Sequence, residues 1–185
     1  MKYLIISGNP KSDGLCAEVI KQVQKGTLAA NVEAEILIVG GLDRCHVCGN
    51  GWGTCRDQHT CAFGEDGFEE AQAKVKNAEQ ICIVTPVYWG EMAEGLKGFL
   101  DRLRRCEYGE KGALSGKQVL LIASPGGSGR GALTCLEQME RFCNHTGAII
   151  FDFIGINRWN NDYKKEAVFA AAKAMASGRK AKETI

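Results

Sequence analysis

One segment of the chain combines three signals that indicate its fold: Gln80-Ile81-Cys82-Ile83-Val84-Thr85-Pro86-Val87-Tyr88-Trp89-Gly90-Glu91, followed by residues 92–105. The run 80–85 is short, apolar and rich in β-branched residues, which is typical of a strand buried on both faces of a sheet. The run 86–91 contains proline, glycine and two adjacent aromatic residues, and it predicts a loop. In residues 92–105 apolar side chains recur every three or four positions, which predicts a helix that packs on the sheet.

The same alternation of strand and helix continues along the chain. The predicted strands cover residues 2–7, 33–39, 80–85, 118–124 and 148–154. The apolar stripes of the five predicted helices contain Leu15, Val19, Ile20 and Val23; Phe68, Ala71, Val75 and Ala78; Met92, Leu96, Phe99, Leu100 and Leu103; Leu133, Leu136, Met139, Phe142 and Cys143; and Val168, Ala171, Ala172 and Met175. This pattern predicts an α/β three-layer sandwich with a five-stranded parallel sheet in the order 2-1-3-4-5. Ligands of such sheets bind beyond the carboxyl ends of the strands, so the loops after strands one, three and four form the candidate site.

The composition limits the classes of protein to consider. The chain has 185 residues, 45% of them apolar and 24% charged, as expected for one globular domain over residues 1–185. A net charge of +1 provides no broad positive field for nucleic acid. No apolar run is long enough to cross a bilayer, and the first is too short for a signal peptide, so we expect a cytoplasmic protein without a membrane partner. Nine cysteines in a reducing compartment then indicate thiols, metal ligands or redox chemistry.

The loop after the first strand reads Ser7-Gly8-Asn9-Pro10-Lys11-Ser12-Asp13-Gly14, and a helix follows it. Small residues let the backbone close around an anion, and the start of a helix offers unpaired N–H groups and a positive dipole end. The hydroxyl groups of Ser7 and Ser12 and the charge of Lys11 would add to this attraction. The loop therefore suits a phosphate group. The alternative is an ordinary turn in which Ser12 or Asp13 caps the helix.

Two further loops offer a place for a flat ring. After strand three, Tyr88 and Trp89 stand side by side outside the predicted strand, where aromatic surface could stack on a heterocycle such as isoalloxazine. The alternative is that both pack beneath the next helix or at a subunit contact. After strand four, the loop Ser124-Pro125-Gly126-Gly127-Ser128-Gly129-Arg130-Gly131 permits close approach of the backbone to a ligand. Arg130 in this loop is a candidate contact for the phosphate of a nicotinamide dinucleotide.

These three loops resemble those of the flavodoxin-like superfamily and, within it, the NADPH-dependent FMN reductase group, which also includes the iron–sulfur flavoproteins. The resemblance spans residues 1 to about 153. It is most specific in Thr85-Pro86-Val87-Tyr88-Trp89-Gly90 and in the helix that ends Phe99-Leu100-Asp101-Arg102. It implies a flavodoxin-like fold that binds flavin mononucleotide (FMN), with the phosphate on the first loop and the ring on the other two. The implied cofactor-binding residues are Ser7, Asn9, Lys11, Asp13, Gly14, Leu15, Cys16, Pro86, Val87, Tyr88, Trp89, Gly126, Gly127 and Ser128.

This chain departs from the group in its first helix. The group usually has Asn and Ser or Thr where this chain has Leu15 and Cys16. Side-chain donors are missing at these two positions, so backbone N–H groups would have to replace them.

A cysteine-rich insertion occupies about residues 40–64, after the second strand, and a connection of this length is usually functional. It contains Cys45, Cys48, Cys55 and Cys61 in a C-x2-C-x6-C-x5-C spacing, and four thiolates suit zinc or an iron–sulfur cluster. The iron–sulfur flavoproteins carry a C-x2-C-x2-C-x5-C run at this place, and Gly51 stands where their third cysteine would be. Three interpretations stay open: a [4Fe-4S] cluster, a zinc site or thiol/disulfide pair, and structural thiols. The other cysteines are predicted to be small core residues: Cys16, Cys82, Cys106, Cys135 and Cys143.

The predicted function is an FMN-dependent oxidoreductase that takes hydride from NAD(P)H and passes electrons to a quinone, a flavin or another acceptor. Hydride transfer needs no side-chain acid or base, so no catalytic residue is predicted. The alternatives are an iron–sulfur flavoprotein that carries electrons without its own NAD(P)H site, and a flavin- or metal-binding regulatory module. The expected partners are a small-molecule acceptor or a redox partner protein. The resemblance also implies a homodimer or homotetramer, with the apolar face of residues 92–103 and Trp52 as candidate contacts.

Overall fold

A computed structural model describes residues 1–107 and 112–181 of the chain. Its sheet contains β1 Tyr3–Ser7, β2 Ala34–Ile38, β3 Gln80–Tyr88, β4 Glu91–Met92, β5 Gln118–Pro125 and β6 Ile149–Gly155. The two-residue β4 pairs antiparallel with the end of β3, and the other strands are parallel. Their order across the sheet is β2-β1-β3-β5-β6. The predicted five-stranded parallel sheet with the order 2-1-3-4-5 is therefore confirmed.

Helices cover both faces of the sheet. They are α1 Gly14–Leu28, α2 Thr54–Asp57, α3 Phe68–Asn77, α4 Glu94–Cys106, α5 Ala132–Thr146 and α6 Asn161–Ala176. Tyr3 and Ile5 of β1 share a core with α1 and α6, whereas Leu4 and Ile6 share the opposite core with α3, α4 and α5. Alternate residues of one strand thus enter opposite cores, and the three-layer sandwich is confirmed. Within the described ranges, no helix has the length and apolar character needed to cross a membrane.

The apolar stripe of α4 belongs to the core of the chain. Leu96, Phe99 and Leu103 have no exposed surface, and burial of each contributes roughly 1.5–3 kcal/mol. Trp52 is half-buried against the same core. The expectation that the face of residues 92–103 offers a subunit contact is therefore wrong for these side chains, because packing within the chain already covers them.

The third strand is longer than predicted. It continues past Thr85 to Tyr88 and returns as β4, whereas the sequence predicts a loop from residue 86 and a helix from residue 92. The connecting residues Trp89 and Gly90 have φ angles of +55° and +85°. Two such residues form a hairpin turn whose twist matches that of the flanking strands. The helix α4 consequently begins only at Glu94.

The outer strands are less buried than predicted. Ile36 and Ile38 of β2 are 37% and 67% exposed, and Phe153 of β6 is 43% exposed. An edge strand has one neighbour, so the helix layers cover it incompletely. The prediction of strands buried on both faces holds for β1, for most of β3 and for β5, and it is wrong at the edges. Leu133, predicted in the apolar stripe of the fourth helix, is also exposed.

The cysteine-rich insertion lies directly against α4. A Cβ on Gly95 would lie 2.7 Å from the Cα atom of Gly40, and one on Gly98 would lie 3.4 Å from the Cα atom of Arg44. Because neither glycine carries a side chain, the backbone of the insertion can pack directly against this face of α4. The insertion contains α2 and leads into a 3-10 turn at Gly64–Asp66, and the sequence predicted neither element.

Candidate functional site

A cavity of about 780 Å³ opens at the carboxyl ends of β1, β3 and β5. Twelve of the fourteen residues predicted to bind the cofactor line it: Asn9, Lys11, Asp13, Leu15, Cys16, Pro86, Val87, Tyr88, Trp89, Gly126, Gly127 and Ser128. The other two, Ser7 and Gly14, lie beside it in the first loop. The lining is completed by five further residues: Gly90, Ser124, Pro125, Arg130 and Gly131. Of these, only Arg130 had been predicted as a ligand contact. The volume lies within the range of about 300–1,000 Å³ that is typical of cofactor sites.

The first loop is held in shape by its own side chains. Ser7 is buried, and its hydroxyl oxygen accepts a hydrogen bond from the backbone N–H of Asn9 at 3.2 Å. The side chain of Asn9 donates to the carbonyl oxygen of Lys11 at 2.6 Å and accepts from its N–H at 3.3 Å. The N–H of Gly8 donates to the carbonyl oxygen of Val84 on β3. Ser7 and Asn9 therefore position the loop, whereas Lys11 is exposed at the cavity.

The start of α1 faces this cavity. Asp13 precedes the helix in an extended conformation, and its side chain makes no capping hydrogen bond. The predicted alternative of a helix capped by Asp13 is therefore wrong. Gly14 has a φ angle of +78°, and a Cβ on it would meet no atom within 4 Å. The first-turn N–H groups beside Leu15 and Cys16 have no acceptor within the helix and lie at the cavity wall, which suits an anion.

The β3–β4 hairpin forms the second wall. Tyr88 is 49% exposed and Trp89 is fully exposed, so neither packs beneath α4, whereas the alternative of a subunit contact stays a prediction. Thr134 of α5 holds the tip of the hairpin, because its hydroxyl donates to the carbonyl oxygen of Gly90 at 2.8 Å. The positive φ of Trp89 is unfavourable for a bulky residue and is typical of backbone constrained at a functional site.

The end of β5 and the loop after it form the third wall. A Cβ on Gly126 or Gly127 would meet no atom within 4 Å, so open space lies in front of both glycines. The thiol of Cys16 reaches this wall and hydrogen-bonds with Ser124. Burial raises the pKa of Cys16 to about 12, and the hydrogen bond only partly opposes this increase. The thiol is therefore neutral at physiological pH and adds no negative charge to the cavity.

Residues 157–159, which the sequence analysis did not assign to the site, pack against the third wall from outside the cavity. The ring of Trp159 lies so close to Gly129 that a Cβ there would be 2.3 Å from a ring carbon. Asn157 donates from its side-chain amide to the carbonyl oxygen of Gly129 at 3.4 Å. The guanidinium carbon of Arg158 lies 4.3 Å from the centroid of the Trp159 ring. No local pattern in the sequence marks these contacts, because they join segments about 30 residues apart.

A second and much smaller cavity, of about 20 Å³, lies between the insertion and the last turns of α4. Five cysteines line it: Cys45, Cys48, Cys55, Cys61 and Cys106. The first four are the predicted metal ligands. The fifth comes from α4, where the sequence predicts a core residue, and it is indeed only 1% exposed. Burial, followed by the nearby thiols of Cys61 and Cys55, raises the pKa of Cys106 to about 12.

The side chain of Arg102 fastens the insertion to α4. Its terminal nitrogens donate to both carboxylate oxygens of Asp66 at 2.7 and 3.0 Å, and to the carbonyl oxygens of Asp43 and Phe63 at 2.8 and 2.7 Å. One of them also lies 3.4 Å from the sulfur of Cys61. The Nε atom is buried and has no hydrogen-bond partner among the described residues. The hydrogen bonds from Arg102 hold the pKa of Asp66 below its ordinary value.

Further contacts tie the insertion to the end of α4. Arg105 donates to the carbonyl oxygen of Gly51, and its guanidinium carbon lies 5.2 Å from the ring centroid of Trp52. Nδ1 of His59 is 2.8 Å from the carbonyl oxygen of Cys106, at hydrogen-bond distance. The insertion is therefore held by α4 through both charged side chains and backbone carbonyl groups.

The arrangement of the cysteines tests whether the structure contains a formed metal-binding group. Within residues 1–107 and 112–181, no three side chains of histidine, cysteine, aspartate or glutamate stand together at metal-binding spacing. The described residues therefore do not confirm a ligand group for the predicted cluster.

Fold and main cavity together define a flavodoxin-like α/β protein with an open cavity at the carboxyl ends of its parallel strands. The chain belongs to the NADPH-dependent FMN reductase family, whose model matches residues 1–157. Membership of this family makes the protein an FMN-dependent oxidoreductase.

Individual relatives and solved structures agree with this family. The chain is 29% identical over 136 residues to an iron–sulfur flavoprotein of Methanosarcina thermophila, a match that covers 71% of this chain and 66% of that protein. It is 26% identical to an iron–sulfur flavoprotein of Methanocaldococcus jannaschii, over 77% of this chain and 71% of that protein. A crystal structure of an NADH:FMN oxidoreductase in its apo form is similar in fold, with a TM-score of 0.70 and 17% identity. That match covers 98% of this chain and 91% of the other.

Proposed function

We propose that the protein binds FMN in the 780 Å³ cavity, takes hydride from NAD(P)H and passes electrons to a quinone, a free flavin or a similar acceptor. The observation that carries the proposal is the convergence of three loops. Each loop was predicted separately to hold a phosphate or a flat ring, and all three line one cavity that opens at the start of α1. Family membership supports the same cofactor.

The phosphate would lie at the start of α1. Backbone N–H groups of the first helical turn have no partner within the helix, and the helix dipole adds about half a positive charge. Lys11 adds a full charge at the same rim, opposed in part by Asp13. The open space in front of Gly14 leaves room for the anion. Leu15 and Cys16 offer no hydroxyl group, so the backbone carries most of this interaction.

The ring would lie between the hairpin and the glycine loop. Pro86, Val87 and Tyr88 offer an apolar surface on one side, and the open backbone at Gly126 and Gly127 offers hydrogen-bonding groups on the other. Bound FMN would supply the hydride-accepting ring that the side chains of this chain lack. These residues orient the ring and exclude water, and none of them is required to move a proton.

The electron donor and acceptor complete the proposal. Arg130 is exposed at the cavity rim, where its charge suits a phosphate group of NAD(P)H. The carrier function would need a cluster, and two relatives are named iron–sulfur flavoproteins. Among the described residues, however, no metal-binding group supports such a cluster in this chain. A small-molecule acceptor is therefore preferred to a redox partner protein.

The cellular location and the oligomeric state of the protein are also part of the proposal. A reducing, cytoplasmic location agrees with nine cysteines that are all free. A homodimer or homotetramer is supported by the exposed apolar side chains of Trp89 and Leu133 beside the main cavity. Light scattering of the purified protein at several concentrations measures the assembly, and a monomer at all of them would contradict this part alone.

The test uses FMN binding followed by turnover. Quenching of flavin fluorescence should show one FMN per chain, and the loaded protein should oxidise NADPH or NADH when a quinone or free FMN is supplied. Lys11→Ala should weaken FMN binding about tenfold, the equivalent of one lost charge-assisted hydrogen bond. Lys21→Ala, an exposed lysine farther along α1, is the matched control and should bind as the wild type does. Absence of FMN binding, or equal affinity of the two variants, would contradict the assigned site, whereas binding without NAD(P)H oxidation would contradict the reductase activity.

A further inference from the structure

We propose that Cys61 of the insertion and Cys106 of α4 form a redox-active pair of thiols, which small-molecule disulfides convert into a reversible disulfide bond. The pair lines the small cavity between the insertion and α4, which we call the cysteine cavity. Among the described residues, this cavity shares no lining residue with the main cavity. The proposal therefore does not depend on FMN binding.

Two observations bring the sulfur atoms of this pair to the same place. A terminal nitrogen of Arg102 lies 3.4 Å from the sulfur of Cys61. Arg102 and Cys106 are four residues apart on α4, so their side chains lie on the same face of the helix. The electrostatics agree, because burial raises the pKa of Cys106 most, followed by the charge on Cys61 and then by that on Cys55. Cys61 is therefore the partner that we assign to Cys106.

Arg102 supplies a donor that suits a reacting sulfur atom. Thiol–disulfide exchange passes through an anionic cysteine sulfur, and a hydrogen bond from a guanidinium group is stronger to an anion than to a neutral thiol. Arg102 lines the cysteine cavity and is 2% exposed, and its Nε–H group has no hydrogen-bond acceptor among the described residues. A buried donor normally has a partner, so this group is available to an anionic sulfur in the cavity.

The exposure of the two thiols sets the order of the steps. Cys61 is half-buried, whereas Cys106 is only 1% exposed, so a small disulfide reaches Cys61 first. The sulfur of Cys61 attacks one sulfur of the small disulfide, whose S–S bond breaks, and one small thiol leaves. Cys106 then attacks the sulfur of Cys61, and the second small thiol leaves. In total the two cysteines lose two electrons and two protons, which the small disulfide gains as it becomes two thiols.

The second step should be the slower one. Burial raises the pKa of Cys106 to about 12, so little of the attacking anion is present near neutral pH. The mixed disulfide on Cys61 should consequently accumulate before the internal bond forms.

The disulfide would change how firmly the insertion is held. In the structure both cysteines are free thiols, and the hydrogen bonds of Arg102 and Arg105 attach the insertion without a covalent bond. A bond between Cys61 and Cys106 would tie the end of the insertion to α4 and restrict its local opening. Amide protons of residues 41–60 should therefore exchange about tenfold more slowly in the oxidised protein.

Peptide mapping on the full-length protein is the direct test, because trypsin separates the two cysteines. Cleavage after lysine and arginine places Cys61 in the peptide 57–74 and Cys106 in the peptide 106–111, each without a second cysteine. The protein is incubated in glutathione buffers of increasing oxidised fraction, free thiols are blocked by alkylation, and the peptides are identified by mass spectrometry. The two peptides should become linked as the oxidised fraction rises, and excess dithiothreitol should separate them.

Four variants assign the steps to individual cysteines. Cys106→Ala should retain glutathione on Cys61 and lose the linked peptides, whereas Cys61→Ser should lose both products. Cys55→Ser removes the other insertion thiol whose charge acts on Cys106, and it should leave the linked peptides unchanged. Cys143→Ala is the matched control for Cys106→Ala, because Cys143 is equally buried but lies in α5 and does not line the cavity. Cooperative urea unfolding of each variant shows that it is folded.

Three results would overturn the proposal. The first is absence of the linked peptides at every glutathione ratio in protein that unfolds cooperatively. The second is a link from Cys106 to the peptide 45–56 in place of the peptide 57–74. The third is an equal yield of the linked peptides in urea-unfolded protein, which would show that the fold does not bring the two thiols together. FMN affinity, measured on the same samples, reports separately on the main cavity.

Discussion

Arg102→Met tests how the insertion is attached to the rest of the protein. Methionine keeps an unbranched apolar stem of similar length in the core and removes every hydrogen-bond donor. The structure defines what is lost: two bonds to the carboxylate of Asp66 and the bonds to the carbonyl oxygens of Asp43 and Phe63. The guanidinium carbon also lies 4.2 Å from the ring centroid of Phe68, and this cation–π contact is lost as well.

The size of the effect follows from burial. Removing one partner of a buried ion pair costs about 3–5 kcal/mol, because the other charge is left uncompensated. The side chain of Asp66 keeps 19% of its exposure, so water relieves part of the cost. We therefore expect the free energy of unfolding to fall by about 3 kcal/mol at neutral pH, the lower end of that range.

The loss should also depend on pH. Arg102 holds the pKa of Asp66 below its ordinary value, so the pair stabilises the native state above the unfolded-state pKa. This stabilisation disappears as the pH falls through the lowered pKa of the folded state. The difference between variant and wild type should consequently shrink below about pH 4.

Urea unfolding at several pH values measures this difference, and hydrogen exchange locates it. Arg104→Met on the same helix is the control, because Arg104 is half-exposed and makes no hydrogen bond described in the structure. It should change stability by less than about 0.5 kcal/mol. Amide protons of residues 41–66 should exchange faster in Arg102→Met only. A loss below about 1 kcal/mol at neutral pH, or one that stays constant into acid, would refute the role given to the Arg102–Asp66 pair.

Two further substitutions probe the hairpin and the helix face. Trp89→Gly should raise the free energy of unfolding by about 1 kcal/mol, because glycine adopts the positive φ without strain. The same substitution should weaken FMN binding through loss of aromatic surface. Unchanged FMN affinity in a fluorescence titration would exclude Trp89 from the site. Gly95→Ala should destabilise by about 2 kcal/mol in thermal unfolding, because its Cβ would meet the backbone of Gly40 at 2.7 Å, whereas Gly41→Ala has open space and should differ little from wild type.

The layers of the fold could be predicted because their signals are local. Burial can be predicted from the spacing of apolar residues over a short stretch of chain, as in the run 118–124 and in the stripe of Leu96, Phe99 and Leu103. The hairpin at Trp89 and Gly90 was missed for a physical reason. A non-glycine residue at positive φ is uncommon, and Trp89-Gly90 lacks the Asn-Gly or Asp-Gly pair that normally marks such a turn. The sequence therefore predicted a loop where the strand continues.

The residues that line the two cavities also include some that the sequence could predict and some that it could not. Residues next to strand ends could be assigned to it, because the topology of a parallel sheet places those ends together. Arg102 and Cys106 could not be assigned, since their positions continue the helical pattern of α4 and their partners lie some 40–60 residues earlier in an irregular segment. The sequence does not distinguish Arg102 from Arg104 and Arg105 on the same helix, and only the structure shows that Arg102 is buried. An arginine is rarely fully buried without a partner, which agrees with its ion pair to Asp66.

The helix α4 relates the two cavities to each other. It begins at Glu94, just after the hairpin that lines the main cavity, and it carries Arg102, Arg105 and Cys106 of the cysteine cavity in its last turns. At 1.5 Å per residue, the stretch from Glu94 to Arg102 is about 12 Å long, so ligands in the two cavities do not touch. A change at the far end of α4 should therefore affect the attachment of the insertion and not ligand binding at the strand ends. On this reasoning Cys106→Ser lowers the thermal stability of the protein, because it places a hydroxyl group at a position that is 1% exposed, and leaves its affinity for FMN unchanged. A parallel loss of FMN affinity would mean that α4 transmits strain between the two cavities.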